Sequence, residues 1–427
     1  MSEKMNFQTG SAFASECDRS DHLASFRDRF FIPVTSDGKE VIYFTGNSLG
    51  LQPRRTGEYV QTELADWARY AVDGHLNARN PWLSYHELLT EPMARIIGAN
   101  ASETVMMNSL TVNLHLMLVS FYRPDGKRRK IVIEKGAFPS DRYAIESQIK
   151  CRGLDPNECL IEVNPRSGEN NIRHEDIESV IGTHNDEIAL VMFGGVNYYT
   201  GQAFDIARIT KAAHAVGAFA GFDLAHSAGN IDLYLSDSDA DFAVWCSYKY
   251  LNGGPGGIGG VFVHSRHSES FDICRFAGWW GHDKKTRFLM KPEFKPLKGA
   301  EGWQISNPPI LQMAALRASL EIFDDAGMHS LRQKSLRLTG YLEFLINGIA
   351  DERIEIITPS NPQERGCQLS IRVKNADRSL FHEITRRGVF TDWREPDVIR
   401  VAPVPLYNSY NDVYQFAEIL RESLAKM

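Results

Sequence analysis

Short runs of consecutive apolar residues alternate with segments of helical apolar spacing between residues 131 and 263. The runs predict strands at 131–133, 160–163, 188–193, 218–222, 242–246 and 261–263, and the spaced segments predict helices at 141–150, 174–182 and 206–216. Strands that are apolar at every position, not only at alternate ones, are typical of parallel sheets with helices on both faces. The pattern therefore predicts an α/β fold with a mostly parallel central sheet flanked by helices.

The chain on either side of this region predicts further elements. Before it, we expect a helical arm at 20–30, a strand at 42–44, helices at 56–70 and 85–97, and an apolar helix that ends near residue 121. After Pro308 and Pro309, the predicted order is helix 311–323, helix 335–349, strands 354–357 and 369–373, helix 380–387, strand 399–401 and helix 413–424. We therefore predict an N-terminal arm (1–40), a large domain (41–324) and a smaller C-terminal α/β domain (325–427), against which the N-terminal segment can pack.

The composition excludes several classes of protein. The 427 residues carry a net charge of -7, from 47 basic and 54 acidic side chains, so there is no basic excess for nucleic acid or anionic lipid. No apolar run approaches the roughly 20 residues that span a bilayer, and residues 1–21 are polar, without the apolar core of a secretion signal. The cysteines at 17, 151, 159, 246, 274 and 367 lack metal-ligand spacing, so we expect no metal and a location in the reducing cytoplasm.

Lys249 follows the predicted strand 242–246 and precedes a glycine-rich loop at 253–260. A charged, unpaired lysine at the end of a buried strand is costly, and burial favours the neutral amine that Schiff-base chemistry requires. The glycines allow a flat ligand to approach the backbone closely. From this stretch alone, a surface lysine before a flexible hairpin is an equally good interpretation.

Asp223 ends the predicted strand 218–222 and lies 26 residues before Lys249, a distance that fits one strand crossover. Parallel sheets bind ligands at the carboxyl ends of their strands, where this carboxylate and this amine could hold opposite ends of one ring. In a pyridoxal phosphate site, an aspartate pairs with the pyridine nitrogen and a lysine binds the aldehyde. The cofactor phosphate prefers a helix N-terminus, and Ser109-Leu110-Thr111 precedes the predicted apolar helix.

Several long stretches of the sequence resemble the kynureninase family, which consists of pyridoxal phosphate enzymes of the aspartate aminotransferase fold (fold type I). These stretches are 43–53, 110–115, 137–141, 198–202, 221–226, 245–252, 278–282, 305–310 and 398–407. The resemblance extends from about residue 40 to residue 427. It implies a large domain with a mostly parallel sheet, a smaller C-terminal α/β domain and a bound pyridoxal 5'-phosphate.

The resemblance also implies roles for individual residues. Lys249 would anchor the cofactor covalently, Asp223 would bind the pyridine nitrogen beside His226, and Phe138 would stack on the ring. The cofactor-binding positions that it implies are Leu110, Thr111, Phe138, Pro139, Ser140, Asp141, Gly194, Asp223, His226, Tyr248, Lys249, Trp279 and Asn307. Gly194 departs from the family pattern, because a hydroxyl-bearing residue contacts the cofactor at this position in the family.

Substrate positions are implied in the same way. They are Asn47, Ser48, His75, Ser306, Asn307 and Arg400. Arg400 would bind the substrate α-carboxylate bidentately. Trp279 and Asn307 match positions that complete the cofactor site of the neighbouring subunit, which implies a homodimer with shared active sites.

The implied reaction is hydrolysis of the Cβ–Cγ bond of L-kynurenine or 3-hydroxy-L-kynurenine, which gives L-alanine and anthranilate or 3-hydroxyanthranilate. Lys249 would move the Cα proton, and Tyr248, with Asp141 as a neighbour, would act as the acid near the oxyanion. His75 and Asn307 predict a preference for the 3-hydroxylated substrate. In the alternative, His75 packs against Trp82 and faces water, and kynurenine is an equally good substrate. The pathway served, NAD synthesis or tryptophan breakdown, stays open.

Two alternatives compete with this hypothesis. Another fold type I lyase, such as a cysteine desulfurase, would need a nucleophilic cysteine on a mobile loop, and Cys367 is the candidate. An inactive binding protein would be expected to have lost Lys249 or Asp223. Taken singly, His226 could be a buried structural histidine, and Arg400 could pair with a surface acid.

Overall fold

The computed structural model describes residues 6–426. The strands are β1 Ile42–Tyr43, β2 Thr104–Met106, β3 Lys130–Glu134, β4 Leu160–Val163, β5 Ile188–Gly194, β6 Phe219–Asp223, β7 Phe242–Cys246, β8 Gly259–Val263, β9 Ile354–Ile356, β10 Leu369–Val373, β11 Val389–Phe390, β12 Asp392–Arg394 and β13 Val398–Val401. The α-helices are α1 Ser11–Arg19, α2 Thr56–Tyr70, α3 Gly74–Asn77, α4 Glu87–Ile97, α5 Leu110–Phe121, α6 Pro139–Cys151, α7 Pro156–Cys159, α8 His174–Thr183, α9 Ile206–Ala215, α10 Ile310–Ala326, α11 Met328–Gly348, α12 Arg378–Arg386 and α13 Tyr410–Leu424.

The large sheet has seven strands in the order β2-β8-β7-β6-β5-β3-β4. The pairings from β4 through β3, β5 and β6 to β7 are parallel, and β8 runs antiparallel to both β7 and β2. The predicted mostly parallel sheet is therefore confirmed, with β8 as its reversed strand. In β3, alternate residues point to opposite faces and both sets are buried: Ile131 and Ile133 belong to one apolar cluster, and Val132 belongs to another.

A second sheet contains four antiparallel strands in the order β12-β13-β10-β9. Its apolar cluster includes residues of α11, α12 and α13, together with Ala14 and Cys17 of α1. The N-terminal strand β1 pairs in parallel with β11, so the N-terminal segment packs against the C-terminal region. The domain boundaries at 40 and 324 stay a prediction.

Three expectations about elements are corrected. The predicted arm at 20–30 is a 3₁₀ helix at Ala24–Arg29, and the α-helix lies earlier, at α1. Asp21 explains the break between them, because its carboxylate accepts a hydrogen bond from the Leu23 backbone N–H and favours a turn. The helix predicted to begin at residue 335 begins at Met328, and the strands β2, β11 and β12 were not predicted. These strands have two or three residues each, too few to show a period.

Among the described residues, no helix is both long and apolar enough to cross a membrane.

Candidate active site at the edge of the large sheet

The carboxyl ends of β3, β5 and β6 and the loop after β7 meet at one cleft. Its walls are formed by Leu110, Thr111, Glu134, Phe138, Ser140, Asp141, Gly194, Val196, Asn197, Tyr198, Asp223, Ala225, His226, Tyr248 and Lys249. A larger cleft of about 670 Å³ lies elsewhere, but no lysine is among the described residues that line it. Its Arg208 pairs with Glu175 and Glu178. The smaller cleft is the candidate active site because it gathers buried ionisable groups around one lysine.

Lys249 is half-buried on one wall of this cleft. Its Nζ lies 2.9 Å from Nε2 of His226 and 5.8 Å from the ring centroid of Phe138. Burial, and then the charge of Lys249, hold the pKa of His226 well below its usual range. A neutral His226 can accept a hydrogen bond from the lysine, which orients the amine toward the cleft.

Three buried carboxyl groups lie at the base of the cleft: Asp223, Asp141 and Glu134. Asp223 accepts a hydrogen bond of 2.7 Å from the Ala225 backbone N–H, whereas Oδ1 of Asp141 is buried without a hydrogen-bond partner. Burial raises the pKa of both aspartates, and the neighbouring charge of Asp223 raises the pKa of Asp141 well above its usual range. Within residues 6–426 none of the three carboxyl groups forms an ion pair, so this base suits a ligand with a protonated ring nitrogen.

The opposite end of the cleft suits an anion. Helix α5 begins there, and its N-cap residue Ser109 makes no side-chain capping hydrogen bond. Its first backbone N–H groups are therefore free to bind an anion. Helix α6 does not offer such a site, because its first residue, Pro139, has no N–H and the Asp141 N–H donates to the Phe138 carbonyl at 3.0 Å. The hydroxyls of Thr111 and Ser140 lie 3.0 Å apart at this point. A ring nitrogen at the base and a phosphate at the beginning of α5 match the two ends of pyridoxal phosphate, so the residues present fit this cofactor.

Glu134 was not predicted as a site residue, although it ends β3 as Asp223 ends β6. It is 3 % exposed, and its Oε1 accepts a hydrogen bond of 3.0 Å from the Gly194 backbone N–H. A Cβ atom at residue 194 would lie 3.0 Å from the same oxygen, so a side chain there would require Glu134 to shift. Gly194 thus leaves room for a carboxyl group. Burial raises the pKa of Glu134 to about 7.

We expect Glu134→Gln to flatten the pH dependence of stability. A carboxyl pKa of about 7 in the folded state against an ordinary 4.5 means that folding favours the protonated acid. Its contribution to stability is present below the unfolded pKa and is lost as the pH rises through about 7, at a cost of roughly 3 kcal/mol. The measurement is urea unfolding of the cofactor-free protein at pH 5 and pH 8. Glu162→Gln, at a partly exposed acid on β4, is the control, and an equal pH dependence in Glu134→Gln and wild type would contradict the assignment.

The structure brings most of the predicted cofactor residues together. Leu110, Thr111, Phe138, Ser140, Asp141, Gly194, Asp223, His226, Tyr248 and Lys249 all line the cleft, and Pro139 begins α6 beside them. Burial raises the pKa of Tyr248, so this phenol keeps its proton at neutral pH. Phe138 is 43 % exposed, which leaves a face of its ring open for stacking.

Other predicted residues lie outside the cleft of the single chain. His75 packs edge-on against Trp82, the contact named in the alternative for this residue, but its Nδ1 is buried away from water and has no hydrogen-bond partner within residues 6–426, so it stays available to a ligand hydroxyl. Ser306 and Asn307 line a separate cavity of about 330 Å³, and Trp279 lines another. Within one subunit these four residues are not part of the Lys249 site.

Arg400 and Asn47 connect to the cleft through Tyr198. The Tyr198 carbonyl accepts hydrogen bonds from Arg400 Nη1 at 2.7 Å and from Gln368 Nε2 at 3.1 Å, and Asn47 Nδ2 donates to Gln368 at 2.7 Å. Ser48 is exposed in the following turn. Arg400 is 1 % exposed and also pairs with Asp392. Arg400 therefore has an acidic partner, as the alternative for this residue stated, but that partner is not a surface acid.

Cys367 cannot serve as a mobile nucleophile. It is fully buried, and burial raises the pKa of its thiol to about 12. Its backbone N–H donates a hydrogen bond to Asn230 at 3.0 Å, which holds the segment in place. The desulfurase alternative requires a mobile, reactive cysteine, and Cys367 is neither mobile nor reactive.

Comparison with known proteins gives close relatives along the chain. Residues 331–420 match the family model described as the kynureninase C-terminal domain. The kynureninase of Myxococcus xanthus is 58% identical over 414 residues, which cover 97% of each chain. The kynureninase of Flavobacterium johnsoniae is 53% identical over 423 residues, or 98% of this chain and 99% of its own.

Solved structures share the fold at low identity. A cysteine desulfurase from Thermococcus onnurineus has a TM-score of 0.76 at 18% identity and covers 94% of this chain and 98% of its own. A mutant of the protein C-DES, which carries glycine covalently linked to its pyridoxal phosphate cofactor, has a TM-score of 0.75 at 15% identity, with coverage of 89% and 96%. At this identity the likeness shows the fold alone, and it agrees with the predicted fold class.

Proposed function

The chain belongs to the kynureninase family, and from this premise we propose that its reaction takes place in the cleft around Lys249. The protein is a pyridoxal phosphate-dependent hydrolase that cleaves the Cβ–Cγ bond of L-kynurenine or 3-hydroxy-L-kynurenine. The observation that carries the assignment of the cleft is that Lys249, the buried carboxyl groups of Asp223 and Asp141, and the N-terminus of α5 line one cleft.

In this proposal, each end of the cleft holds one part of the cofactor. Asp223 binds the pyridine nitrogen, with Asp141 as its protonated neighbour, and Phe138 covers one face of the ring. The phosphate lies at the beginning of α5, where Leu110 offers its backbone N–H and Thr111 its hydroxyl. Ser140 and Tyr248 supply further hydroxyls for the phosphate. Gly194 has no side chain, so the carboxyl group of Glu134 fits beside it.

The chain's own residues then handle the protons of the reaction. Bound pyridoxal phosphate supplies an electron sink for the negative charge at the substrate Cα. With the cofactor and substrate bound, Lys249 would take the proton from the substrate Cα, and neutral His226 at 2.9 Å keeps the lysine oriented. Water adds to the γ-carbonyl, and Tyr248 stabilises the developing oxyanion with its O–H. The Cβ–Cγ bond breaks, the aromatic acyl group leaves as a carboxylic acid, and Cβ is protonated. Lys249 then returns a proton to Cα, which gives L-alanine.

The substrate is held at both ends. Arg400 binds the α-carboxylate. Asn47 and Ser48 lie nearby on a turn, and the backbone N–H of Gly50 in this turn donates a hydrogen bond to the Tyr248 carbonyl. His75, Ser306 and Asn307 bind the aromatic end from the partner subunit.

The purified holoenzyme should hydrolyse both kynurenines, with a higher kcat/KM for the 3-hydroxylated substrate. If the site hydrogen-bonds the ring hydroxyl, a substrate without this hydroxyl leaves a polar group of the protein unpaired. The resulting loss in kcat/KM for kynurenine is about 5- to 150-fold. His75→Phe should reduce this ratio. A preference for kynurenine, or an unchanged ratio in His75→Phe, would exclude His75 as the residue that recognises the hydroxyl, and hydrolysis of neither substrate would contradict the proposed function.

The dimer is part of the proposal. Trp279 is 41 % exposed and lies near other exposed apolar side chains, Phe276, Phe288, Leu289 and Met290. An exposed apolar surface of this kind is typical of a protein interface. A two-fold dimer that covers it would place Trp279 and Asn307 in the partner's site.

Mixing two inactive variants tests this arrangement directly. We expect Lys249→Ala and Asn307→Ala homodimers to be impaired, and their mixture, after subunit exchange, to recover about a quarter of the native activity. About half of the dimers are then hybrids, and each hybrid holds one site with an intact Lys249 and an intact Asn307. The mixture of Lys249→Ala with Asp223→Ala is the control, because both changes fall in the same half-site. No recovery in exchanged dimers would rule out a shared site.

The location in the cell is also proposed. The six cysteines lie in the described part of the chain, and all are free thiols. Unpaired cysteines agree with the reducing cytoplasm. We propose that the enzyme acts there on kynurenine from tryptophan breakdown, and a role in NAD synthesis would follow from turnover of the 3-hydroxylated substrate.

A further inference from the structure

Arg400 faces a carboxylate of its own chain. β12 is an edge strand that pairs with β13, and Asp392 lies directly opposite Arg400 in the register of this pair. Arg400 Nη2 donates to Asp392 Oδ2 at 2.7 Å, and Nε donates to Oδ1 at 3.3 Å. Asp392 therefore engages one edge of the guanidinium in a bidentate manner.

The other edge of the guanidinium remains available. An arginine has five N–H donors in a planar fork. Two of them bind Asp392 and one, on Nη1, binds the Tyr198 carbonyl. One donor on Nη1 and one on Nη2 are left, and these two donors match the two oxygens of a second carboxylate. A substrate carboxylate can thus bind Arg400 while Asp392 stays in place.

The charge of this pair requires a third group. Arg400 and Asp392 cancel each other, so they offer no net attraction to a substrate anion. Arg394, two residues after Asp392, places Nε 2.9 Å from Asp392 Oδ1, and its Nη2 donates to Oδ2 at 3.2 Å. Among the described residues, neither arginine has another acid within ion-pair distance. Two guanidinium groups share one carboxylate, which leaves one net positive charge.

Arg394 also lies close to the cofactor cleft. Its guanidinium is 6.0 Å from the ring centroid of Tyr198, and that ring packs edge-on against Phe138 at 5.2 Å. The charges of Arg400 and Arg394 both contribute to the low pKa of His226, after burial and Lys249. The charge of Arg394 is therefore felt inside the cleft, although its side chain is 37 % exposed.

We propose that Arg394 and Asp392 complete the subsite for the substrate α-carboxylate. Asp392 is a positioning residue that fixes the plane of Arg400 and leaves two of its donors facing the substrate. Arg394 supplies the positive charge that makes the subsite selective for an anion. This inference rests on the proposed role of Arg400.

The test compares two ligands that differ in one charge. L-alanine carries the α-carboxylate and L-alaninamide does not, and both are titrated into the holoenzyme while the visible absorbance of the bound cofactor is followed. We expect Arg394→Gln to weaken L-alanine about fivefold, a modest factor because the side chain is partly exposed to solvent. L-alaninamide should bind as in wild type. The KM for kynurenine should rise by a similar factor, with kcat within about twofold.

Two further variants separate charge from structure. Arg394→Lys keeps the charge and should retain most of the affinity for L-alanine. Arg378→Gln, at an exposed arginine of α12 that pairs with Glu395, removes the same charge and should change neither ligand's binding. Asp392→Ala should weaken L-alanine, because Arg400 loses its fixed plane. If Asp392→Ala binds L-alanine more tightly, Asp392 competes with the substrate and the inference is wrong.

The outcomes also distinguish this inference from the proposed function. If Arg400→Gln keeps the native preference for L-alanine over L-alaninamide, then the proposed carboxylate clamp itself fails. If Arg400→Gln loses that preference but Arg394→Gln keeps it, the clamp stands and the role of Arg394 is refuted.

Discussion

Replacing Lys249 with alanine will lower kynurenine turnover by at least about a thousandfold and remove the covalent anchor of the cofactor. The proton transfer assigned to this amine is worth up to about four orders of magnitude, and no other lysine lines the cleft within the described residues. The direct measurement is borohydride reduction followed by denaturation. Cofactor should remain attached to the wild-type chain and be released from Lys249→Ala.

The matched control for this variant is Lys135→Ala. Lys135 follows β3 at the same edge of the sheet but is exposed and pairs with Glu162 at 3.0 Å. It should retain native turnover and covalent attachment. Cofactor still attached to Lys249→Ala after reduction would show that a different lysine is the anchor.

Asp223→Asn should cause the second large loss, and Asp141→Asn should cause a small one. Asp223 is the carboxylate proposed to stabilise a protonated ring nitrogen, and an amide cannot replace its charge. Burial and the neighbouring charge of Asp223 raise the pKa of Asp141 well above its usual range, which favours the protonated acid, and an amide resembles this form. We expect turnover to fall about a hundredfold or more in Asp223→Asn, and less than about tenfold in Asp141→Asn.

Cofactor affinity provides an independent measurement of the same ranking. Fluorescence titration of the cofactor-free variants should show weaker binding in Asp223→Asn and near-native binding in Asp141→Asn. The reverse order in both measurements would show that Asp141 carries the charge and Asp223 the proton.

Much of the fold follows from local patterns in the sequence. The strands β3, β5, β6 and β7 are buried on both faces, so nearly every position must be apolar, and their sequences show this clearly. The helix α2 was predicted with its observed bounds, Thr56–Tyr70, because one face contacts α10 and the other faces solvent. Short edge strands such as β12 carry no such signal, because three residues are compatible with a strand or a loop.

The sequence by itself also determined which side chains are available for chemistry. Lys249 and Asp223 follow buried strands, and parallel strands bring their carboxyl ends to one edge, so their meeting could be predicted. The tertiary structure alone decided the electrostatics of that edge. The pKa of Glu134 depends on burial beside Asp223, which is 89 residues away in the chain. The orientation of the Arg400 guanidinium depends on Asp392, which lies opposite it on the paired strand, and on the Tyr198 carbonyl, which lies in another part of the chain. Desolvation and pairing of charges depend on distances in space, and the order of residues along the chain does not specify these distances.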